Sequence, residues 1–285
     1  MNIPTGLVHY IRNSNWGSVV DVESVHGGSI NSVYLLETEL GPKSVLKTNS
    51  KCPEHMFARE SEGLYALAAV SGGLKVPQVY QYGVDWILME YIPHSSPASK
   101  YWSLLGEGLA QIHLTVEARF GFPEDNFIGS TVQVNPWTED GHGFFAEHRL
   151  IFQGDMACAQ GLLSKEDYKL LNRIAYRLND IVPSQPASLI HGDLWSGNVI
   201  VGPGGIPAIV DPATHFGWAE ADLAMTSLFG QFDSEAYIAY ERIRPLIPGY
   251  RDRIDVYNLY HLLNHLNIFG KSYLSRVQTL LRKYG

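Results

Sequence analysis

Cysteine is nearly absent: Cys52 and Cys158 are the only two in 285 residues. They are far apart and outside any metal-ligand spacing, which argues against a disulfide scaffold or a zinc site and fits a reducing compartment. Basic residues are also few. Lysine and arginine number 21 against 29 acidic residues, giving a formal net charge of -8. With no basic block, nucleic acid is not expected as a partner, whereas an acidic surface suits a cationic or amine-bearing substrate. No apolar run approaches the roughly eighteen residues of a membrane span, and no signal-peptide layout is present. The expectation is a cytoplasmic protein with no membrane partner. Repeats and low-complexity segments are missing as well.

The rest is an ordinary globular composition, 45% hydrophobic and 18% charged, long enough for one large or two medium domains. The first ninety residues read as strands, with one helix before them and one inserted. Val19 to Val25, Ser32 to Thr38 and Lys43 to Thr48 form three antiparallel strands, and Gln78 to Tyr82 and Trp86 to Tyr91 add two. Met56 to Val70 carries Phe57, Leu64 and Leu67 at helical spacing before the Gly72-Gly73 stop. The Pro-containing stretch Ile92 to Pro97 is a connector. Domains are therefore expected over 1–91 and 92–285, the second dominated by helices over 101–116, 143–159, 164–181, 221–229, 234–243, 252–273 and 274–284.

The densest chemistry lies in His191-Gly192-Asp193-Leu194-Trp195-Ser196-Gly197-Asn198, with Asp211 thirteen residues beyond it. An Asp and, five residues later, an Asn have the spacing of a kinase catalytic loop, in which the Asp accepts a hydroxyl proton and the Asn holds magnesium. Val199 to Val201, the turn Gly202 to Gly205 and Ile206 to Val210 read as a hairpin. Asn198 enters one strand and Asp211 leaves the other, so both can reach one Mg2+. The plainer alternative is two turn residues, which the joint match of spacing and strand context disfavours.

Other segments supply further parts of a nucleotide site. Gly27, Gly28, Ser29 and Asn31 lie in a turn between two strands, where backbone N–H groups can approach the phosphates of ATP; alone, such a turn is often only a hairpin. Lys47 closes a strand and is the candidate phosphate lysine. Glu60 is its expected partner, because it shares a helix stripe with Phe57, Leu64 and Leu67 while Glu62 points to the side. Met89, Glu90 and Ile92 end the fifth strand, where extended backbone can meet an adenine edge. His191 is expected to brace its loop, and Asp222 to cap a helix and anchor that loop. Asn126, Gln133 and Asn135 are amide candidates in the long segment 120–137, with self-bonding of the loop an equal alternative.

Taken together, the His191–Asn198 segment, Asp211-Pro212-Ala213, Glu220 to Met225, Phe120-Gly121-Phe122 with Asn126 to Gly129, and Leu263 to Asn267 resemble the fructosamine kinase (ketosamine 3-kinase) family over nearly the whole chain. The resemblance implies an α+β, two-lobed protein-kinase-like fold: an N-terminal antiparallel sheet with a helix, then a mostly helical C-terminal lobe. It also implies ATP- and Mg2+-dependent phosphorylation of the 3-hydroxyl of a small or protein-bound ketoamine, whose product breaks down to release the free amine. By position, Asp193 is the base, Asn198 and Asp211 the magnesium ligands and Lys47 the phosphate lysine, while Trp195 and His265 line the sugar pocket; His261 stays structural. Three departures bear on substrate preference or regulation: Ser29 where many bacterial relatives carry cysteine, Trp218 where His is common, and His142 where Trp is expected. An aminoglycoside- or choline-type kinase and a non-catalytic nucleotide-binding pseudokinase are the alternative functions. A monomer or weak homodimer is expected.

Overall fold

The structure, a computed structural model, describes residues 3–25 and 30–285. After helix α1 (Thr5–Asn13), strands β1 (Val19–Val25), β2 (Ser32–Thr38) and β3 (Ser44–Thr48) run antiparallel; helix α2 (Met56–Ala68) is next, then β4 (Val79–Tyr82) and β5 (Trp86–Glu90). They form one sheet in the order β1-β2-β3-β5-β4. Period-two alternation in the inner strands feeds two cores. Leu36, Leu46, Trp86 and Leu88 pack against Leu7 and Ile11 of α1, while Ile87 and Met89 face Phe57, Leu64 and Leu67 of α2. Lys47 pairs with Val33 on one side and Ile87 on the other. Its place next to Leu46 puts it on the α2 face, since neighbouring side chains point to opposite faces.

The connector after Glu90 is tied to the second half of the chain, where Ser95 N–H donates to Val201 O at 3.0 Å and Ala98 N–H to Gly205 O at 3.0 Å. Helix α3 (Tyr101–Leu114), strands β6 (Val116–Glu117), β7 (Asn126–Ile128) and β8 (Thr131–Gln133) come next, then helices α4 (Gly141–Phe145), α5 (Phe152–Ala159), α6 (Lys165–Tyr176) and α7 (Leu178–Ile181). Strands β9 (Ala187–Ile190), β10 (Val199–Val201), β11 (Pro207–Ile209) and β12 (His215–Gly217) precede helices α8 (Ala219–Met225), α9 (Ser234–Ile243), α10 (Tyr250–Phe269) and α11 (Leu274–Tyr284). The result is an α+β chain in two lobes, a sheet with a helix on each face and then a mostly helical half. Among the described residues no helix is long and apolar enough to cross a membrane.

Several elements differ from expectation. The helix expected over 143–159 starts at Gly141, where Asp140 caps it by accepting from His142 and Gly143 N–H, and it passes through a π-helical stretch, Ala146–Ile151. Arg149 lies in that stretch and turns inward, donating to Val134 O and Asn135 Oδ1 at 2.7 Å each. Segment 164–181 breaks at Arg177 into α6 and α7. Gly270, with φ 80°, ends α10 earlier than expected, and Lys271–Tyr273 becomes a 3-10 turn. Helix α8 begins at Ala219, so Asp222 sits within it and does not cap it. The three-stranded sheet β12-β9-β6 and the hairpin β7-β8 have no counterpart in the sequence pattern.

Candidate active site

Strand β9 delivers the chain into the His191–Asn198 loop. Gly192 has φ 82°, and a Cβ there would collide with Ala213 O. Only glycine permits that crossing, which Ala213 N–H closes by donating to His191 O at 2.8 Å. Asp222 holds the turn from below: its carboxylate accepts from His191 N–H at 2.6 Å and from Gly192 N–H at 2.8 Å. His113 of α3 lies against the same carboxylate at 3.2 Å. The His191 ring spans the loop. Its Nδ1 accepts from Asp193 N–H at 3.2 Å, so the other nitrogen carries the proton and donates to Val210 O at 3.0 Å.

Asn198 closes the loop by donating through Nδ2 to Asp193 O at 2.8 Å and to Asp193 Oδ2 at 3.3 Å. Strands β10 and β11 pair Val199 with Ile209, and Val210 N–H donates to Asn198 O at 3.0 Å. Asn198 and Asp211 thereby stand at the open end of one hairpin. Asp211 has φ 59°, a left-handed conformation that Asp tolerates better than most residues. Such outliers persist where surrounding structure imposes them, often at functional sites.

Lys47 reaches across from the sheet. Its ammonium donates to Glu60 Oε1 at 2.6 Å and also to Asp211 Oδ1. Glu62 is engaged elsewhere, with Arg59 at 2.7 Å. Burial alone would lower the Lys47 pKa, but Asp211 and Glu60 outweigh it and the net shift is upward. Glu60 is also pushed up, by burial and then by Asp211, against the pull of Lys47. Burial, reinforced by the Asp211 charge, raises Asp193 to about 7, with the Asn198 hydrogen bond acting against the rise.

These groups open on one cavity of about 410 Å3 between the lobes. Of the residues singled out from sequence, Asn31, Lys47, Glu60, Asp193, Trp195, Asn198, Asp211 and His265 line it together. Gly27, Gly28 and Ser29 lie outside the described residues. Met89, Glu90 and Ile92 are not among its walls: Met89 and Ile92 are buried, while Glu90 pairs with Lys75 at 2.5 Å and its N–H donates to Gln78 O. Asn126 lines the cavity, but Asn126, Gln133 and Asn135 mainly brace one another, with Gln133 and Asn135 donating to Asn126 Oδ1 at 2.7 and 2.9 Å. His261 is buried and burial lowers its pKa to about 3.

Sequence reasoning missed Phe229, Phe269 and Tyr273, which also line the cavity. Phe269 was accessible in principle, since His261, His265 and Phe269 recur every fourth residue on one face of α10. The departures at 142 and 218 stand away from this cavity. His142 and Trp218 pack against each other, rings 5.2 Å apart, in the core beside Phe145 and Tyr257.

The profile of the fructosamine kinase family matches residues 11–284. A Synechocystis protein named "Probable ketoamine kinase" is 39% identical over 265 residues, 91% of this chain and 88% of its own length. The rice (Oryza sativa subsp. indica) "Protein-ribulosamine 3-kinase, chloroplastic" is 35% identical over 275 residues, 93% of this chain and 79% of its own. A fructosamine-3-kinase candidate from Thermobifida fusca has a crystal structure that superposes with TM-score 0.90 at 28% identity, over 99% of this chain and 98% of the other. The choline kinase LicA from Streptococcus pneumoniae, at 17% identity and TM-score 0.65 over 98% and 99% of the two chains, shares the fold alone. With a kinase-like fold and a profile match along almost its entire length, this chain belongs to the fructosamine kinase family.

Proposed function

We propose that the protein transfers the γ-phosphoryl group of ATP to the 3-hydroxyl of a ketoamine. The observation that carries this reading is one cavity in which a lysine–carboxylate cluster, an Asp–Asn pair and an indole–imidazole pair face one another. Asp193 orients the sugar hydroxyl and accepts its proton. The freed oxygen bonds to the γ-phosphorus while the bond to the leaving ADP oxygen breaks. Phosphoryl transfer passes through a loose transition state, so positioning and charge neutralisation contribute more than the base does.

Asn198 and Asp211 are the residues that would hold Mg2+. Among the described residues no three His, Cys, Asp or Glu side chains converge as a metal site. The donors are instead one carboxylate and one amide, which fits magnesium, an oxygen-seeking ion bound through one or two protein groups plus substrate phosphates. The metal supplies neutralisation of phosphate charge. Lys47, ordered by Glu60, serves the phosphates together with Asn31, which lines the same cavity. Trp195 offers a flat apolar face to the sugar C–H groups and His265 a hydrogen bond to a hydroxyl.

ADP release should require Mg2+ and a ketoamine such as ribulosamine, erythrulosamine or fructosamine of a lysine derivative, and should be absent with aminoglycosides or choline. Equal turnover of an aminoglycoside, or none with any ketoamine, would overturn the assignment.

A further inference from the structure

Arg149 lies off the main cavity, yet it is one of the most deeply buried charged groups in the protein, 1% exposed. Burial lowers its pKa to about 10, so it is charged at neutral pH. The guanidinium sits 4.5 Å from the ring centre of Phe144 and 5.6 Å from that of Tyr260. It donates to Val134 O and His148 O at 2.7 and 3.0 Å and to Asn135 Oδ1 at 2.7 Å. None of these partners is a carboxylate, and burying a charge on such terms is costly. The π-helical stretch that carries it is a rare form found mostly at functional sites.

A chain of buried amides leads from Arg149 to the segment after Asp211. Arginine has five N–H donors and no acceptor, so the oxygen of Asn135 must face it and the Asn135 NH2 must face away. That NH2 donates to Asn126 Oδ1 at 2.9 Å, where Gln133 Nε2 also donates at 2.7 Å. With its oxygen so occupied, Asn126 turns its own NH2 to Thr214 O at 2.7 Å. Gln133 Nε2 reaches Ala213 O at 3.0 Å, which His215 Nδ1 also approaches at 3.0 Å, and Gln133 Oε1 accepts from the Tyr260 hydroxyl at 2.8 Å. The donor-only guanidinium thus sets the direction of each amide between itself and Thr214. On its other side Thr214 lies against α2, since a Cβ on Gly63 would come 3.0 Å from Thr214 Oγ1.

We infer that Arg149 is a positioning residue for the magnesium site: through Asn135, Asn126 and Gln133 it fixes the carbonyls of Ala213 and Thr214 and so holds Asp211 in its left-handed conformation. This rests on the assignment of Asp211 to Mg2+. A non-glycine residue at φ 59° persists only where the chain on both sides over-determines it. Ahead of Asp211 the β10-β11 hairpin does this, through Val210 N–H on Asn198 O. Behind it the amide chain supplies the restraint, and a network with every member satisfied is rigid.

The test measures binding of a non-hydrolysable ATP analogue to the whole protein by calorimetry, with and without Mg2+, so that the affinity gained from the metal is read apart from that for the nucleotide. In Arg149→Met the gain should fall about tenfold, the value of one hydrogen bond to a charged group, while Mg2+-free affinity stays within about twofold. Asn135→Asp is the sharper variant, and it decides alone should Arg149→Met not fold. Its carboxylate still pairs with Arg149 but has no N–H for Asn126, whose amide must then turn its oxygen toward Thr214 O. The same fall in the gain is expected, in a protein that circular dichroism shows to be folded. If Arg149 only filled the core, Asn135→Asp would keep that partner and leave the gain unchanged. That result, or an equal fall with and without Mg2+, would overturn the positioning role. A wild type whose nucleotide affinity does not respond to Mg2+ would instead overturn the magnesium reading of Asp211 on which the inference rests.

Discussion

Replacing Asp222 should show how far the catalytic loop depends on one carboxylate remote from the transferred phosphoryl group. Asp222 is 1% exposed and takes the N–H groups of His191 and Gly192 at 2.6 and 2.8 Å, with His113 as a third partner. Although burial by itself raises its pKa, the histidines and the backbone donors outweigh it, and the net shift is downward, so the carboxylate stays charged. Asp222→Asn keeps the shape but offers one acceptor oxygen where there were two. One backbone N–H then faces an amide NH2, and an unpaired buried donor costs about 1–3 kcal/mol. Losing charge-assisted hydrogen bonds raises the total to about 2–4 kcal/mol. Asp222→Ala leaves every partner unpaired, which should cost about 3–5 kcal/mol. Urea unfolding monitored by tryptophan fluorescence measures both variants. Because His191 and Gly192 position Asp193, kcat in Asp222→Asn should fall more than tenfold, consistent with the steep cost of small misplacements. A variant within ~0.5 kcal/mol of wild type that also turns over at the wild-type rate would refute the anchoring role.

Three other outcomes are expected from the same structure. The His142–Trp218 contact predicts a coupled double-mutant cycle: Trp218→His should cost about 2–4 kcal/mol through a cavity and His142→Trp about 1–3 kcal/mol through overpacking. The double variant should recover more than ~1 kcal/mol of the sum; additive losses in denaturant unfolding would contradict the pairing. Burial lowers the pKa of His113, His215 and His261, so below the ordinary value of 6.5 the unfolded chain binds more protons and acid favours unfolding. At pH 5.5 each of the three contributes at most about 1.4 kcal/mol of lost stability. Asp193, raised to about 7, and Glu60, also raised by burial, take up protons in the folded state as pH falls and oppose that loss, so the measurement belongs in the Asp193→Asn, Glu60→Gln double variant; a flat denaturation midpoint there between pH 7.5 and 5.5 would count against neutral burial. Finally, Glu60→Gln should raise the KM for ATP several-fold by releasing Lys47, whereas Glu62→Gln, which frees Arg59 on the cavity wall but leaves the Lys47–Glu60 pair in place, should have a clearly smaller effect; equal effects would mean the helix as a whole matters, not the Lys47 pair.

The sheet lobe was legible because its strands, four to seven residues long, are alternating or apolar segments bounded by turn residues, and α2 because Phe57, Leu64 and Leu67 share one stripe. The C-terminal sheet was not. Val116–Glu117 and His215–Gly217 are too short to show any period, and they share a sheet only because β9 lies between them. The hairpin β7-β8 was hidden for the same reason, its three-residue strands turning at Gly129, φ 63°. The π stretch in 146–151 keeps a helical apolar pattern and leaves no separate signal in the sequence.

At the site, sequence spacing is informative for residues that act from one loop and weak for those brought in from afar. The five-residue interval between Asp193 and Asn198 is a local property of the loop, and a hairpin joins Asn198 to Asp211. Phe229 lies beyond the end of α8 and Tyr273 in the turn between α10 and α11, and they meet His265 only through tertiary packing. Trp218 and His142 read in the sequence as two independent departures affecting substrate preference. They are one contact in the core, so neither lines the main cavity; only tertiary proximity reveals that.

The most direct test is Asp193→Asn assayed for ATP-dependent phosphorylation of a ribulosamine alongside nucleotide binding. ATP affinity should stay within about threefold of wild type, because Lys47, Asn198 and Asp211 remain, while kcat falls by about 10²-fold or more. Near-full turnover by Asp193→Asn would contradict the central claim that this carboxylate receives the hydroxyl proton.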